Sequence, residues 1–426
     1  MYCIVDGITH RGEGVARIEG KATFIPFAIP GEEVDIEITM ERSRFSKGKI
    51  KEIIAASPDR VDPPCENYYR CGGCCYQHVN YARQLQLKKQ VVTDALHRIG
   101  QQKIAVKDVI GMDNPWYYRN KVTWQTGEEK GKKRLGYYQL DSRTHLPISD
   151  CLLLSPDIKK FSQFLDCYLD ITGIKKGQQV VIRQGSEDGK LYLIVEGPVD
   201  QEGLTTLVKG YPGLESLFIY HNNRLEHIFG SEVLGFRIDK YRYQVSPLVF
   251  FQVNNRQTNI LCDEVKKAAG SKERKRLLDA YCGTGSIAIY LAGQYDYVTG
   301  VDYSARSIDN ANNNAQINQL NNYEFYAGAC EKIIPDLKQE FDTVILDPPR
   351  AGCHKDLLQV LIKKPVSQII YVSCNPATLA RDIKILCQSS YRINSVQPVD
   401  MFPWTVHVET CVLLSHKKSQ ASSPSL

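Results

Sequence analysis

"RLLDAYCGTGSIAIYLA" (276–292) is an apolar run, a turn carrying Gly283 and Gly285, and a second apolar run. A strand, a glycine turn and a helix give that pattern, and the glycines let backbone pass close to a ligand at a sheet's carboxyl edge. Strand-like runs recur at 297–302, 323–327, 342–347, 368–373, 395–399 and 408–414, with helical stretches between them. This alternation predicts a doubly wound α/β sheet over 245–418. Asp302, in "VTGVDYS", lies 19 residues after Gly283. An acid there can accept hydrogen bonds from both ribose hydroxyls of a nucleoside. Ile287-Ala288 stand where a dinucleotide fingerprint has its third glycine, so no pyrophosphate site is implied.

"DAYCGTG" resembles the first motif of S-adenosylmethionine-dependent methyltransferases, which bind an adenosine and a methionine. "VILDPPRAG" (344–352) fits the same reading. Asp347 ends its strand where such enzymes place a polar group against the methionine end and the substrate. Enzymes that methylate exocyclic amines usually follow Pro-Pro with an aromatic. Arg350 stands there instead, so the chemistry points away from amines and toward a nucleophile elsewhere.

"YVSCNPATLARD" (371–382) supplies one. Cys374 ends the fifth strand-like run, facing the crevice where a doubly wound sheet binds ligands. Methylating carbon 5 of uracil requires this kind of help. A thiolate adds to carbon 6, the enolate so formed attacks the sulfonium methyl through carbon 5, and a base then removes the carbon-5 proton. Free cysteine titrates near ~8.5, so the thiol must be activated, and no histidine adjoins it in sequence. Glu409, within "DMFPWTVHVETCVLL" (400–414), interrupts an apolar strand. A carboxylate there is either that base or a structural ion pair.

The chain has 426 residues, enough for two or three domains, with 43% hydrophobic and 24% charged residues. No signal-peptide pattern opens it and no run has the length of a membrane span, so a cytoplasmic protein without membrane or predicted protein partners is expected. Residues 1–58 read as a small β-barrel of oligonucleotide-binding type. Residues 59–244 read as a β-rich domain of antiparallel hairpins, with a helix at 80–100 that could pack on the catalytic domain. The tail 419–426 reads as disordered. The net charge is only +5, and residues 1–60 hold nine Lys and Arg against ten Asp and Glu. Basic stretches at 42–51 and 130–134 suit phosphates but equally a solvated face. "WYYRNKVTW" (116–124) interleaves aromatics with Arg119, a pattern that serves either RNA stacking or a buried strand face.

Fourteen cysteines in a reducing compartment do not imply disulfides. "CENYYRCGGCC" places Cys65, Cys71 and Cys74 close together, and Cys151 is the fourth candidate ligand. Four thiolates suit zinc as well as an iron–sulfur cluster, and the spacing does not choose.

"SCNPATLARD", "DMFPWTVHVETCVLL", "FFQVN" (250–254), "DAYCGTG" and "DPPRAG" together closely resemble the RNA (uracil-5-)-methyltransferase family, and in particular its iron–sulfur branch. The resemblance implies that Cys374 is the nucleophile and Glu409 the base. It implies that Gln252, Tyr281, Asp302 and Asp347 line the S-adenosyl-L-methionine pocket, beside the turn of Gly283 and Gly285, and that Phe250 and Asp347 meet the target base; Arg119 is the RNA-contact candidate of the aromatic stretch. It also implies a [4Fe-4S] cluster on Cys65, Cys71, Cys74 and Cys151. The implied architecture is a Rossmann-like methyltransferase sheet, an N-terminal OB-like TRAM barrel and a β-rich, cluster-bearing central domain. The implied substrate is 23S ribosomal RNA, with transfer RNA as the rival. Relatives often carry Asp or Asn where Ala329 stands, so the adenine contact is left unassigned. Two other classes fit part of the pattern: a non-catalytic RNA-binding or chaperone protein, and a cytosine methyltransferase.

Overall fold

The computed structural model describes residues 1–148, 150–270 and 274–418. The tail expected to be disordered lies outside them. Strands β1 (Tyr2–Ile4), β2 (Gly7–Ile8), β3 (Gly14–Ile18), β4 (Lys21–Ile25), β5 (Glu33–Glu41) and β6 (Phe45–Ala55) form an N-terminal sheet in the order β1-β5-β6-β4-β3-β2. Its alternating residues Val34, Ile36, Ala16 and Ile25 point into a small core of their own. Helix α1 (Tyr81–Arg98) follows, capped by the Asn80 side chain, which accepts from the Arg83 N–H.

The central sheet contains β7 (Lys121–Glu129), β8 (Lys132–Tyr138), β9 (His145–Pro147), β10 (Gln179–Gln184), β11 (Leu191–Glu196), β12 (Leu214–His221) and β13 (Arg224–Phe229), in the order β13-β12-β11-β10-β7-β8-β9. It is not built of hairpins alone. Strands β11 and β12 run parallel, because helix α3 (Gln201–Lys209) carries the chain back across the sheet, and helix α2 (Pro156–Cys167) covers the same core. A parallel pair needs such a crossover, whereas an antiparallel pair closes with a turn.

Hairpin β14 (Leu234–Ile238) and β15 (Tyr241–Val245) leads into α4 (Asn255–Ala269) and the C-terminal sheet. That sheet comprises β16 (Arg274–Ala280), β17 (Tyr295–Asp302), β18 (Tyr323–Ala327), β19 (Thr343–Leu346), β20 (Gln368–Ser373), β21 (Tyr391–Val399) and β22 (Glu409–His416). Its order is β18-β17-β16-β19-β20-β22-β21, with every strand parallel except β22, which runs against both of its neighbours. The order reverses between β16 and β19, which opens a crevice at their carboxyl ends.

Both faces of the sheet are buried, which explains its continuous apolar strands. Leu277, Ile345 and Ile370 face a core shared with α4, with α5 (Ser286–Leu291) and with Phe218, Phe236 and Tyr243. Leu278, Leu346 and Ile369 face the other way, toward α7 (Cys330–Asp336), α8 (Lys355–Lys363), α9 (Pro376–Ser389) and Val92 and Leu96 of α1. Helix α6 (Ala305–Ile317) substitutes for a missing neighbour of β15. Side-chain oxygens of Asn310, Asn314 and Asn318 accept from the N–H groups of Ser246 (2.8 Å), Gln244 (2.7 Å) and Arg242 (2.9 Å). The amide of Asn314 also donates to the Thr284 carbonyl in the glycine turn.

Candidate active site

Antiparallel pairing of β20 with β22 puts Ser373 opposite Thr410. Cys374 follows Ser373 and Glu409 precedes Thr410, so a thiol and a carboxyl lie just beyond that last pair at the crevice, and the charge of Glu409 reaches the thiol. Parallel pairing of β16 with β19 sets Ala280 beside Leu346, and Tyr281 and Asp347 follow on the same edge. Asn375 ends β20 cleanly: its side chain accepts from the Ala377 N–H at the start of α9, and Pro376 occupies the first helical turn. The same amide donates to the Arg350 carbonyl (3.0 Å), and Thr378 Oγ1 adds a second bond there (3.3 Å). Arg381 donates to the Ala351 carbonyl (3.0 Å). The Asp-Pro-Pro-Arg turn and the cysteine turn are therefore one rigid unit.

This edge holds protons. Burial pushes the Asp347 carboxyl up to about 7. Burial, and then the charge of Asp347, push Glu409 to about 8, while Arg350 pulls the other way. Burial and then Glu409 push the Cys374 thiol to about 11, again against Arg350. Arg350 is thus the cation felt by both proposed reacting groups. Its guanidinium lies 3.4 Å from His407 Nε2. A guanidinium only donates, so Nε2 accepts and the imidazole is neutral. Burial and Arg350 depress His407 to about 4.

The glycine turn is strained by design. Gly283 and Gly285 have φ of +54° and +77°, and Tyr281 has +67°. A Cβ on Gly285 would lie 3.2 Å from Ala311 and 3.3 Å from Phe325. Asp302 accepts from the Gly283 N–H (3.0 Å) and the Ser304 N–H (2.9 Å). A carboxylate has about four acceptor sites, so two remain for a ligand. Asp279, buried beneath the turn, accepts from the Ala288 N–H at the start of α5 (3.1 Å). The Tyr281 hydroxyl accepts from the His354 N–H (3.3 Å), and its ring packs partly on the core below.

Gln252 and Phe250 sit on a loop gripped by the central domain. Asn120 Nδ2 donates to the Gln252 carbonyl (3.0 Å) and Arg183 Nη1 to the Val249 carbonyl (2.9 Å). Phe250 is 71% exposed.

The four cysteines line one cavity of about 120 Å³, together with Arg119, Tyr137 and Asp150. Burial pushes Cys151 to about 11 and raises Cys65, Cys71 and Cys74 as well. Among the described residues no three His, Cys, Asp or Glu converge closely enough for a single ion. Four soft thiols around a cavity are a donor set that iron–sulfur clusters use. Arg119, expected to face RNA, is placed in the cavity wall instead. Its Nε is buried without a hydrogen-bond partner.

Sequence reading passed over three neighbours of the site: Arg350 as a charge partner, His407, and Tyr303, which is 84% exposed beside Asp302. The aromatic following the ribose-type acid was the one available signal. The Arg350–His407 contact spans 57 residues and left none.

The tRNA (uracil-5-)-methyltransferase family matches residues 223–417, and a TRAM domain matches residues 3–51. An RNA methyltransferase of Clostridium tetani is 34% identical over 438 residues, covering 97% of this chain and 95% of the relative. The chain belongs to the tRNA (uracil-5-)-methyltransferase family. It is therefore an S-adenosylmethionine-dependent RNA methyltransferase with an N-terminal TRAM domain. An RNA methyltransferase of Caldanaerobacter subterraneus is 36% identical, with 96% of each chain covered. The crystal structure of Pyrococcus abyssi tRNA (uracil-54, C5)-methyltransferase with S-adenosyl-L-homocysteine superposes with a TM-score of 0.78 at 26% identity, covering 97% of this methyltransferase and 100% of that chain. Among the described residues no helix is long and apolar enough to cross a membrane.

Proposed function

We propose that this methyltransferase modifies carbon 5 of a uridine in cytoplasmic RNA through a covalent bond between Cys374 and carbon 6. The observation that carries the reading is the placement of Cys374 and Glu409 directly beyond the Ser373–Thr410 pair at the carboxyl edge of the sheet, with the charge of Glu409 felt by the thiol. When bound, S-adenosylmethionine supplies an electrophilic methyl group and leaves as S-adenosylhomocysteine. Gln252, Tyr281, the backbone of Gly283 and Gly285, Asp302 and Asp347 are the residues we assign to hold it.

The Cys374 thiolate adds to carbon 6, and the ring's displaced electron pair makes carbon 5 nucleophilic. Carbon 5 forms its bond to the methyl group. The Glu409 carboxylate takes the carbon-5 proton, the sulfur–carbon-6 bond breaks, and its electrons return to Cys374. The 5,6 double bond is restored and nothing is oxidised or reduced. Arg350 favours the thiolate and the ionised Glu409, the two forms the cycle needs. The target base must leave its stack to reach the thiol, and Phe250 is positioned to pack against it.

We assign Cys65, Cys71, Cys74 and Cys151 to a [4Fe-4S] cluster with a structural role, and residues 1–58 to an OB-like RNA-binding barrel. Large-subunit 23S ribosomal RNA is the first substrate to test. Transfer RNA is the second, favoured by the likeness to the Pyrococcus abyssi tRNA (uracil-54, C5)-methyltransferase.

The test is to map 5-methyluridine in total RNA from cells with and without the gene, and to incubate the protein with a 5-fluorouridine transcript of the RNA that changes. A denaturant-stable adduct on Cys374, absent in Cys374→Ala, is expected. An adduct on another residue, or turnover by Cys374→Ala, defeats the mechanism. Anaerobically purified protein should be brown and lose iron in Cys151→Ser; a colourless zinc protein refutes the cluster.

A further inference from the structure

Residues 400–408 join β21 to β22 and deliver Glu409, whose pairing partner is Val399 at the other end of the same loop. All three parts of the chain grip this loop. Asp400 forms a fully buried ion pair with Lys88 of α1 (2.5 Å) and accepts from the Tyr81 hydroxyl (2.8 Å). Val406 packs beside Ile29, Tyr76 and Leu87.

The strongest hold is on Trp404. Its φ is +68°, an uncommon conformation for so bulky a residue, which persists only where the surroundings over-determine it. The surroundings come from the cysteine region. The Trp404 carbonyl accepts from the N–H groups of Cys75 (3.0 Å) and Tyr76 (3.1 Å). Its indole Nε1–H donates to the Pro115 carbonyl (2.9 Å), and its ring stacks on Trp116 at 4.0 Å. Tyr118 donates to the Pro403 carbonyl (3.1 Å), and Cys74 and Cys151 pack against the same aromatic group.

We infer that Trp404 is a positioning residue through which the cysteine-lined region sets the base Glu409 in place. The inference rests on the proposed role of Glu409 in removing the carbon-5 proton. It explains why thiols with no part in methyl transfer are built beside the catalytic loop: they brace a strained turn five residues before the base. It also separates the two halves of the cycle. Cys374 is held by the Arg350 turn and α9, not by Trp404, so attack and methyl transfer should survive when Trp404 loses its support, whereas proton removal should stall.

Trp404→Ala removes the indole from the loop side, and Trp116→Ala removes the stacking partner without altering the loop. Each is incubated with methyl-labelled S-adenosylmethionine and total RNA from cells lacking the gene. Two quantities are read: label in a denaturant-stable protein–RNA complex, and label in released RNA. Formation of the complex should stay within about threefold of wild type while release slows by about tenfold or more, so the complex accumulates. Cys74→Ser should accumulate it too, with a shift in tryptophan emission. Glu409→Gln is the control. If it turns over normally, the role of Glu409 falls. If it traps the complex while both tryptophan variants release RNA at the wild-type rate, the inference alone falls. Equal loss of complex formation and release in both tryptophan variants also overturns it, because that is general damage to the fold. Normal release by Cys74→Ser breaks the link to the cysteine region.

Discussion

Glu409→Gln should make the protein more stable while abolishing turnover, and the gain should depend on pH in a defined direction. The side chain is 5% exposed, and burial together with Asp347 moves its carboxyl from 4.5 to about 8. In the unfolded chain at neutral pH the group is ionised; in the folded protein it holds a proton. A raised folded-state value means that stability is fully present below the unfolded value and is lost as pH rises through the folded one. Linkage puts the cost of folding this residue at about 3 kcal/mol at pH 7 and below about 1 kcal/mol at pH 5. Glutamine has the same shape and no proton to recruit. Its amide must still be desolvated, so a measured gain of roughly 1–3 kcal/mol at pH 7 is expected. For a domain of this size each kcal/mol raises the melting temperature by about 2–4 °C. The assay is thermal unfolding of wild type and variant at half-unit steps from pH 5 to pH 8.5. The two curves should converge at the acid end and separate as pH rises. A variant less stable than wild type, or a gap that does not close at pH 5, refutes the assignment of Glu409 as a neutral buried acid.

Release of methylated RNA under single-turnover conditions should accelerate from pH 7 to pH 9, since Cys374 and Glu409 both act in their ionised forms and both are raised; an acid optimum contradicts this. Arg350→Met removes the cation that opposes both shifts and should move the same profile to higher pH, with lower activity at pH 7.5; an unmoved profile denies Arg350 that role. Gly285→Ala forces a side chain into a backbone at φ +77°, costing ~1–2 kcal/mol; calorimetry should show weaker S-adenosylmethionine binding, and unchanged binding would mean the turn relaxes. Lys88→Met leaves Asp400 buried without its counter-ion, a loss of about 3–5 kcal/mol by denaturant unfolding; the double variant with Asp400→Leu should recover most of it.

The catalytic sheet was legible because its strands are apolar on both faces and several are closed by a glycine, proline or asparagine. Its seven strand-like runs fall on β16 to β22. The central sheet was less so. Alternating apolar residues reveal a strand but not its direction, so the parallel pairing of β11 with β12 was hidden. Helix α2 did carry a signal, Ser155-Pro156 before an apolar periodic run, but the surrounding strands obscured it. At the site, Cys374 stood out at the end of a strand-like run and Glu409 as a carboxylate within an apolar one. Contacts made across long stretches of chain, such as Arg350 with His407 or Trp404 with Cys75, leave no local trace. Arg119 shows the limit of composition: a cation between aromatics reads the same whether it faces solvent or, as here, a cavity lined by thiols.

The asparagine ladder between α6 and β15 works as a vernier. Four residues of helix advance about 6.0 Å and two residues of strand about 6.6–6.8 Å, so the two scales slip by roughly 0.7 Å per rung. Three rungs, at 2.8, 2.7 and 2.9 Å, stay in step. A slide of the strand by one residue would turn its N–H groups away, and a slide by two would leave an outer asparagine without its partner. The edge is therefore graduated to a single setting. Because Asn314 also holds the glycine turn, that setting fixes how far the loop carrying Phe250 stands from the cofactor crevice.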